Sequence, residues 1–303
     1  MRAFIDRIVH HEGLNFTLTN RLPRRLATRL MGWLSKVEQP LVRDASIGIW
    51  RLFSDLDLSE AKKQRFTSLH DCFVRELKEG ARPIDGDPGI LISPCDGIVG
   101  ACGAIDGAEL LQVKGTKYPL AELLRDPELA DFYREGCYAT LRLTAAMYHR
   151  FHAPHDCRVE HVTHIWGDAF NVNPPALRRV DKLFCRNERA VIRMRLLADG
   201  TRITLVPVAA ILVAGIRLRF LDLVVDPRSG PIAVPCSPPF AKGQEMGWFE
   251  HGSTIIVLAP PGAALANTVT TGATVRMGEP LMRLGKAGSS QRAATGHREG
   301  PAL

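Results

Sequence analysis

Apolar and polar positions follow two different periods along this chain. Through residues 1–80, apolar side chains recur every three or four positions, which is typical of amphipathic helices. Beyond Arg82, apolar and charged residues exchange places every second position, which is typical of strands with one buried face. The clearest of these segments begin at Tyr138, Val191 and Ile216. The pattern predicts an α+β fold in which helices precede a mainly antiparallel β core.

The helical periods and stop signals define four predicted helical segments. Within the first part of the chain, helices are predicted over the Leu22–Leu34 stripe, over Ser59–Arg65 and over Ser68–Lys78, with Gly80 ending the last of them. A fourth helical segment, Leu120–Tyr133, is predicted as an insertion in the β-rich part. The remaining elements should be strands.

The same changes of pattern divide the chain into three regions. Residues 1–80 form a helical region, residues 81–284 a β-rich domain, and residues 285–303 a tail with the composition of a disordered end. The longest apolar run, residues 205–216, has 12 positions and is too short to cross a bilayer as a helix. We predict that this run forms a pair of buried strands.

Composition narrows the class of protein. The chain has 303 residues, 46% of them hydrophobic, so it can bury a sizeable core. It has seven cysteines, an odd number, and none are spaced as Cys-x-x-Cys. We therefore expect reduced thiols in a cytosolic protein, not a disulfide framework or a zinc site. We also expect no secretory signal, because charged residues interrupt the first apolar stretch.

Positive charge is concentrated near the N-terminus. Residues 1–50 carry eight basic and four acidic side chains. Their net charge, 8 − 4 = +4, is more than half of the chain's net charge of +7. On the predicted helix, Leu22, Leu26, Leu30, Trp33 and Leu34 share one face and arginines occupy the other. This pattern is typical of an interfacial membrane anchor, although an ordinary helix packed on the core has the same pattern. Nucleic-acid binding is disfavoured, because stacking aromatics are not interleaved with the basic residues.

A candidate nucleophile lies in the tripeptide Gly252-Ser253-Thr254. A serine directly after a glycine, at the start of an apolar strand, can attack its own backbone, because glycine has no Cβ to block the approach to its carbonyl. The same tripeptide is also a common way to enter a strand from a turn. Its meaning depends on whether a base and an acid lie elsewhere in the chain.

Two further segments contain suitable groups. Asp96 lies in an Asp-Gly turn after an apolar stretch, where the plain interpretation is a turn. His149, His152 and His155 recur at intervals of three residues, which suggests a metal site. Pro154 disfavours one helix carrying all three, and no set of cysteine or carboxylate ligands completes the site.

Five motifs in order resemble those of bacterial phosphatidylserine decarboxylases, which are self-cleaving proenzymes that depend on a pyruvoyl group. Together they cover most of residues 70–282. The motifs are Pro-x-Asp96-Gly, Tyr148-His-Arg-x-His-x-Pro154, Gly167-Asp-x-Phe-x-Val-Asn173, Leu183-Phe-x-Arg-Asn-Glu-Arg189 and Lys242-Gly-Gln-Glu-Met-Gly-x-Phe-x-x-Gly-Ser-Thr254. One departure is His251, where the family pattern has leucine before Gly-Ser-Thr.

The resemblance implies roles for the candidate residues. Asp96, His152 and Ser253 would form a triad in which the acid fixes the imidazole tautomer and the imidazole takes the serine proton. The chain would be cut between Gly252 and Ser253, and Ser253 would become the pyruvoyl cofactor. Among the remaining residues, His149 would supply the proton after CO₂ loss, and Tyr148 would assist there or bind substrate. Apart from the resemblance, Lys114 is a candidate to bind the substrate head group, although a solvated loop lysine has the same pattern.

The resemblance also implies a complete function. The β-rich domain would be a carboxy-lyase that converts phosphatidylserine to phosphatidylethanolamine through a Schiff base, without an external cofactor or metal. Fragments 1–252 and 253–303 would stay associated, in a homodimer bound peripherally to anionic lipid at the cytoplasmic face of the bacterial inner membrane. Two alternatives remain open at this point. They are a metal-dependent hydrolase using the histidine cluster and an uncleaved lipid-binding relative.

Overall fold

The structure is a computed structural model that describes residues 24–107, 109–111, 117–210, 215–222, 231–250 and 253–285. The helices in this part of the chain are α1 Arg24–Ser35, α2 Pro40–Phe53, α3 Leu69–Phe73, α4 Leu120–Leu124, α5 Pro127–Phe132, α6 Pro174–Arg179 and α7 Leu183–Arg186. The strands up to residue 165 are β1 Ile90–Ile92, β2 Gly97–Ala104, β3 Glu109–Leu111, β4 Lys117–Pro119, β5 Cys137–Leu143, β6 Arg150–His152 and β7 Cys157–Ile165. The later strands are β8 Arg189–Leu196, β9 Arg202–Ala209, β10 Ile216–Leu218, β11 Ile232–Pro235, β12 Pro239–Phe240, β13 Glu245–Phe249, β14 Ser253–Ala259, β15 Ala264–Leu265, β16 Thr274–Val275 and β17 Pro280–Arg283.

One large antiparallel sheet dominates the described fold. Its strand order is β11-β7-β8-β9-β14-β5-β2-β16, and β12 pairs with β7 beside this path. Two three-stranded sheets, β1-β17-β15 and β10-β13-β6, and the β3-β4 hairpin complete the strand pairing. The prediction of a mainly antiparallel α+β fold is confirmed.

The strand β14 lies near the middle of this sheet. It pairs along its whole length with β5, and it pairs with β9 from Ser253 to Leu258. All seven of its residues are buried, as expected for a central strand covered on both faces. Successive side chains of a strand point to opposite faces, so Ser253 and Ile255 face one side while Thr254 and Ile256 face the other.

Each face of the sheet is covered by its own apolar layer. Layer A, on the Ser253 side, joins the sheet to the two three-stranded sheets and includes Leu141, Phe151, Phe249, Ile255 and Val257. Layer B, on the Thr254 side, joins the sheet to α4–α7 and includes Leu123, Tyr138, Phe184, Val208 and Ile256. The start of β14 therefore presents one hydroxyl to each layer.

The predicted helix at Ser59–Arg65 is wrong. In the structure this segment is irregular, and its backbone pairs with residues 76–78 through Lys62 N to Glu76 O and Lys78 N to Glu60 O, both 2.9 Å. A helix here would have almost no apolar face, since Ala61 is its only apolar side chain. The helix predicted over Ser68–Lys78 is shorter than expected and is confined to α3.

The single helix predicted over Leu120–Tyr133 is divided in two. Arg125 adopts a left-handed conformation with φ 54° and ends α4. Asp126 then caps α5 by accepting a hydrogen bond from Leu129 N at 2.9 Å, and Pro127 occupies the first turn. Proline at the start of a helix needs no amide hydrogen, so the Asp-Pro pair begins a new helix where the apolar period suggested continuity.

The first two helices expose many of their large apolar side chains, although Ile47 and Trp50 of α2 pack on a small cluster around Phe66. The large hydrophobic residues exposed there are Leu30, Trp33 and Leu34 on α1 and Leu41, Ile49, Leu52 and Phe53 on α2. Trp33 is 67% exposed and Leu41 is 77% exposed. Leu30, Trp33 and Leu34 of the predicted stripe are therefore not buried in the core, and both interpretations of the stripe stay predictions.

No helix in the described ranges is long and apolar enough to span a membrane. The predicted strand pair over residues 205–216 is seen as the end of β9 and the start of β10, with residues 211–214 between them outside the described part of the chain. The predicted tail beyond Gly285 also lies outside it, and the boundaries of the three regions stay predictions.

Candidate active site

Ser253 occupies an unusual position for a polar side chain. It is the first residue of β14, lies opposite Leu143 and Ala209 in the two neighbouring strands, and is completely buried. Its Oγ has no hydrogen-bond partner among the described residues. Leaving a buried hydroxyl unpaired costs about 1–3 kcal/mol, so such a group calls for an explanation. Both Gly252 and His251 lie outside the described residues, so only the serine side of the predicted bond is described.

His152 is held as a neutral imidazole with a defined tautomer. Its Nδ1 lies 2.8 Å from the carbonyl oxygen of Gly243, and because a carbonyl only accepts, Nδ1 carries the hydrogen. Its Nε2 lies 3.0 Å from the hydroxyl of Tyr148 and therefore accepts from it. Burial lowers the pKa of His152 below its usual value, and the hydrogen bond to Gly243 and the carboxylates of Glu245 and Asp96 oppose this only in part. The side chain can therefore act as a base at neutral pH.

Asp96 is anchored by other partners. Its two carboxylate oxygens accept hydrogen bonds from Arg82 Nε at 2.9 Å and Arg82 Nη2 at 2.6 Å, and Oδ1 also accepts from Met277 N at 2.9 Å. Arg82 in turn donates to Glu60 at 2.7 Å. The direct bond between Asp96 and His152 that a triad would contain is not formed in the described structure. The carbonyl of Gly243, not Asp96, fixes the imidazole tautomer, which corrects that part of the predicted role.

His152 nevertheless lies next to the chain segment that contains Asp96. The backbone nitrogen of His152 donates to Pro94 O at 2.8 Å, two residues before Asp96. A cavity of about 500 Å³ lies beside them, and His152, Tyr148 and Arg82 contribute to its wall. Its other charged lining residues are Glu76, Lys78, Arg219 and Glu245. The predicted base therefore faces a polar cavity, and Ser253 is not among the residues that line it.

The hydroxyl of Tyr148 occupies Nε2 of His152, the candidate base. Tyr148 is 5% exposed, and burial raises the pKa of its phenol. The hydroxyl consequently stays protonated and donates to His152. The structure thus brings Tyr148 and His152 together directly, and substrate binding by Tyr148 stays a prediction.

His149 lies in a separate, apolar environment. It is completely buried, its ring packs on Phe73 with centroids 4.0 Å apart, and its Nδ1 donates to Met147 O at 2.8 Å. Its carbonyl oxygen accepts from Phe249 N at 3.0 Å, four residues before Ser253. A backbone hydrogen bond therefore joins His149 to the segment that precedes Ser253. Lys114 lies outside the described residues.

The histidine cluster does not converge on one point. His155 makes its ring contacts with Pro88 O at 2.9 Å and Asp156 O at 3.4 Å, away from those of His152. His164 contacts Glu188 at 3.1 Å. No group of three histidine, cysteine, aspartate or glutamate side chains is placed to hold a metal ion within the described ranges. The metal-hydrolase alternative therefore has no geometric support.

Sequence reasoning missed the residues that hold the site together. In the sequence, Arg82 marks only the start of the β-rich pattern, and Gly243 is only one position of a motif. The ion pairs of Glu245 with Arg150, at 2.8 Å, and with Arg219, at 2.5 Å, were not foreseen. A signal for Arg82 was present, since it is a lone arginine before a proline near an aspartate turn, but spacing alone does not assign its partner.

Comparison with known proteins agrees with these motifs. Residues 69–283 match the sequence model of the phosphatidylserine decarboxylase family. A phosphatidylserine decarboxylase proenzyme of Haemophilus influenzae is 35% identical over 270 residues, which cover 86% of this chain and 92% of the relative. Proenzymes of the same name from Halorhodospira halophila and Aliivibrio salmonicida are 36% and 34% identical, covering 88% and 91% of this chain and 92% and 99% of the relatives.

The matched region contains all the described candidate residues: Asp96, Tyr148, His149, His152 and Ser253. With a match over this much of the chain, the protein belongs to the phosphatidylserine decarboxylase family.

Proposed function

We propose that this chain is a phosphatidylserine decarboxylase proenzyme that cuts itself between Gly252 and Ser253. The observation that carries the proposal is the buried hydroxyl of Ser253 at the first position of a central strand, which has no hydrogen-bond partner in the described part of the chain. A hydroxyl that no described residue holds in a hydrogen bond is available to attack the neighbouring carbonyl. Membership of a family whose curated relatives are called proenzymes supports the same conclusion.

The cut is a balanced sequence of steps on the chain itself. Ser253 Oγ attacks the Gly252 carbonyl carbon, the peptide C–N bond breaks, and an ester with a free amine results. Loss of the Ser253 α-proton then breaks the Cβ–O bond, so Gly252 leaves as a carboxylate and residue 253 becomes a dehydroalanine. One water is consumed and one ammonia is released as this residue is hydrolysed to the pyruvoyl group.

His152 is the proposed base for the first step. Its neutral state and its Nδ1 hydrogen bond leave Nε2 as the proton acceptor, which is what a serine hydroxyl requires. The hydroxyl of Tyr148 must leave Nε2 before the serine proton arrives there. Asp96 would contribute through its charge, which stabilises the imidazolium cation at a distance.

The surroundings of Ser253 fit the cofactor that it would become. When formed, the pyruvoyl group supplies a carbonyl that condenses with the substrate amine and accepts the electrons released with CO₂. The neighbours of Ser253 on its own face, Leu143 and Ala209, are apolar, and a site of low polarity favours loss of a carboxylate's charge. His149 is the proposed donor of the proton that replaces CO₂ on the substrate.

Strand pairing supports continued association of the two fragments. Fragment 253–303 begins with β14, which pairs on one side with β5 and on the other with β9, both in fragment 1–252. The strands β16 and β17 add pairs with β2 and β1. The fragments should therefore separate only when the sheet unfolds.

The exposed faces of α1 and α2 support peripheral membrane binding. Trp33, Leu41 and Phe53 are each at least 60% exposed, and Arg51 is an exposed cation beside Leu52 and Phe53 on α2. Apolar side chains enter the interface while arginines remain with anionic head groups. Binding at the cytoplasmic face of the inner membrane, and the homodimer, are proposed from the resemblance.

The test is the intact mass of the purified protein. Two fragments should appear, and the short one should start with a pyruvoyl group in place of Ser253. The variant Ser253→Ala should remain one chain and lack decarboxylase activity, while Ser237→Ala, an exposed-loop control, should be cut normally. A Ser253→Ala protein that still splits at the same bond would disprove the proposal.

A further inference from the structure

Arg142 is a charged residue that the proposed reaction does not yet use. It lies on β5, directly opposite Thr254 of β14 and Ile98 of β2. Opposite residues of an antiparallel pair share a face, so Arg142 projects to the same side of the sheet as Thr254. That side is layer B, where Tyr138, Val208 and Ile256 are its buried apolar surroundings. A guanidinium at this place is half-buried in a mainly apolar layer.

Among the residues that the structure describes, this guanidinium has no compensating partner. It forms no hydrogen bond, ion pair or ring contact with any described residue, and burial alone lowers its pKa. Arginine nevertheless keeps its charge in proteins. A half-buried cation without a counter-charge is costly, so its presence in a central strand requires a compensating interaction at some stage.

Arg189 shows what a satisfied arginine in this layer looks like. It is 1% exposed, and its guanidinium donates to four carbonyl oxygens: Leu123 at 2.7 Å, Cys185 at 2.7 Å, Asn187 at 2.9 Å and Glu122 at 3.0 Å. The fold thus provides acceptors for one buried arginine in layer B. It provides none for Arg142 within the described ranges.

Thr254 supplies a second, independent observation. Its side chain is completely buried, and its Oγ1 has no hydrogen-bond partner among the described residues. Residues directly opposite in an antiparallel pair have Cβ atoms about 5 Å apart, so this hydroxyl and the Arg142 side chain start from adjacent points. A hydroxyl donor beside an unpaired guanidinium is a suitable donor set for an anion with several oxygens.

We infer that Arg142 and Thr254 bind the phosphodiester of the substrate, an inference that rests on the proposed function. Phosphatidylserine has two anionic groups, the carboxylate and the phosphodiester. Pairing the guanidinium with the carboxylate would stabilise the charge that the reaction removes and would slow the reaction. The Thr254 and Ser253 side chains point to opposite faces of the sheet, but the Schiff base would form at the former Cα of residue 253, in the backbone at the start of β14. Only a short chain of bonds separates the serine amine from the phosphorus, so the phosphodiester can reach the Thr254 face. The guanidinium therefore holds the phosphodiester and leaves the carboxylate in apolar surroundings.

The experiment compares two substrates in the same detergent micelles. One is a short-chain phosphatidylserine, and the other is the serine ether of the same diacylglycerol, which lacks the phosphodiester. The variant Arg142→Gln removes the charge and keeps most of the volume. Arg202→Gln is the matched control, since Arg202 is an exposed arginine on β9, which is separated from β5 by β14, and lies at the opposite end of β9 from the residue that pairs with Ser253.

The expected result is a loss of selectivity. Arg142→Gln should be cut into two fragments, and its kcat/KM for phosphatidylserine should fall by about tenfold to a hundredfold, mainly through KM, because a charge-assisted hydrogen bond is lost. Its kcat/KM for the ether should change little. The inference is overturned if Arg142→Gln and Arg202→Gln both retain wild-type selectivity, or if Arg142→Gln loses both substrates equally.

A second measurement needs no variant. Inorganic phosphate should compete with phosphatidylserine on the wild-type enzyme and should not inhibit turnover of the ether. Lack of competition, or equal inhibition of both substrates, would refute the site even if Arg142→Gln failed to fold. A wild-type protein that is never cut, or that decarboxylates neither substrate, would instead refute the proposed function.

Discussion

The ion pair between Arg82 and Asp96 should be a large contributor to the stability of the site. The two side chains are 7% and 10% exposed, and they share two hydrogen bonds, at 2.6 and 2.9 Å. Replacing Arg82 by methionine leaves the Asp96 carboxylate buried, with Met277 N as its remaining described partner. Removing one partner of a buried pair typically costs about 3–5 kcal/mol. The remaining hydrogen bond offsets part of this, so we expect a loss of about 3 kcal/mol.

The opposite change should cost less. Asp96→Asn leaves Arg82 with Glu60, 2.7 Å away, and an asparagine oxygen can still accept from Met277 N. We expect a loss of about 1–2 kcal/mol. Because the double variant leaves neither charge unpaired, it should lose about 3 kcal/mol in total, which is less than the sum of the single changes.

All of these variants are compared in the Ser253→Ala background, in which the protein should stay one chain and unfold as a defined species. Urea denaturation followed by fluorescence of the four tryptophans gives the free energy of unfolding. Arg134→Met is the matched control, because the Arg134–Asp131 pair is 54% and 69% exposed and should contribute less than about 1 kcal/mol. The reasoning is refuted if Arg82→Met is no more harmful than Arg134→Met, or if the two changes at 82 and 96 are additive.

Three further predictions concern processing and membrane binding. Tyr148→Phe removes a neutral hydrogen bond worth about 0.5–1.5 kcal/mol that occupies Nε2 of His152, so fragments should appear about two- to tenfold faster in a refolding time course; slower cutting would show that the hydroxyl relays the proton. Because folding lowers the pKa of His152, its base form persists below the usual histidine pKa, and the cutting rate should hold at pH 6.5 and decline only at lower pH. The same shift means that stability is lost as pH falls through the usual histidine range, since the unfolded chain then binds the proton more readily. Trp33→Ala should weaken binding to anionic vesicles by about tenfold in a sedimentation assay, while Leu197→Ala, which removes a 53%-exposed leucine elsewhere, should leave binding unchanged.

Strands with clear alternation were predictable because their pattern is local. The segments beginning at Tyr138 and Val191 fall inside β5 and β8, where apolar residues of layer A alternate with residues of the other face. In β8, Arg193 and Arg195 are half-buried between fully buried neighbours, as the period of two requires. Such patterns specify an element without any knowledge of its neighbours.

The site could be predicted only in part, because its contacts join distant segments. Asp96, His152 and Ser253 were identified as chemically suitable groups, but their hydrogen-bond partners depend on pairings that spacing does not reveal. His152 bonds to Gly243, 91 residues later, and Asp96 bonds to Met277, 181 residues later. The Ser59–Arg65 helix failed for a related reason. Its backbone finds partners in residues 76–78, and these compete with hydrogen bonds inside a helix.

The position of Ser253 within the sheet explains how a chain can be cut and still keep an ordered catalytic end. In most folds a new terminus would fray, because terminal residues have few paired groups. Here the proposed terminus begins a strand that is paired on both sides from its first residue, with Leu143 opposite on β5 and Ala209 opposite on β9. The backbone of β14 is therefore fixed before the cut and does not depend on the bond that is lost. A cofactor made from Ser253 would keep this fixed position. Layer A would lie beside it, and Arg142 would lie opposite the next residue, Thr254. The same sheet would therefore order the serine for its own cleavage and the product for catalysis.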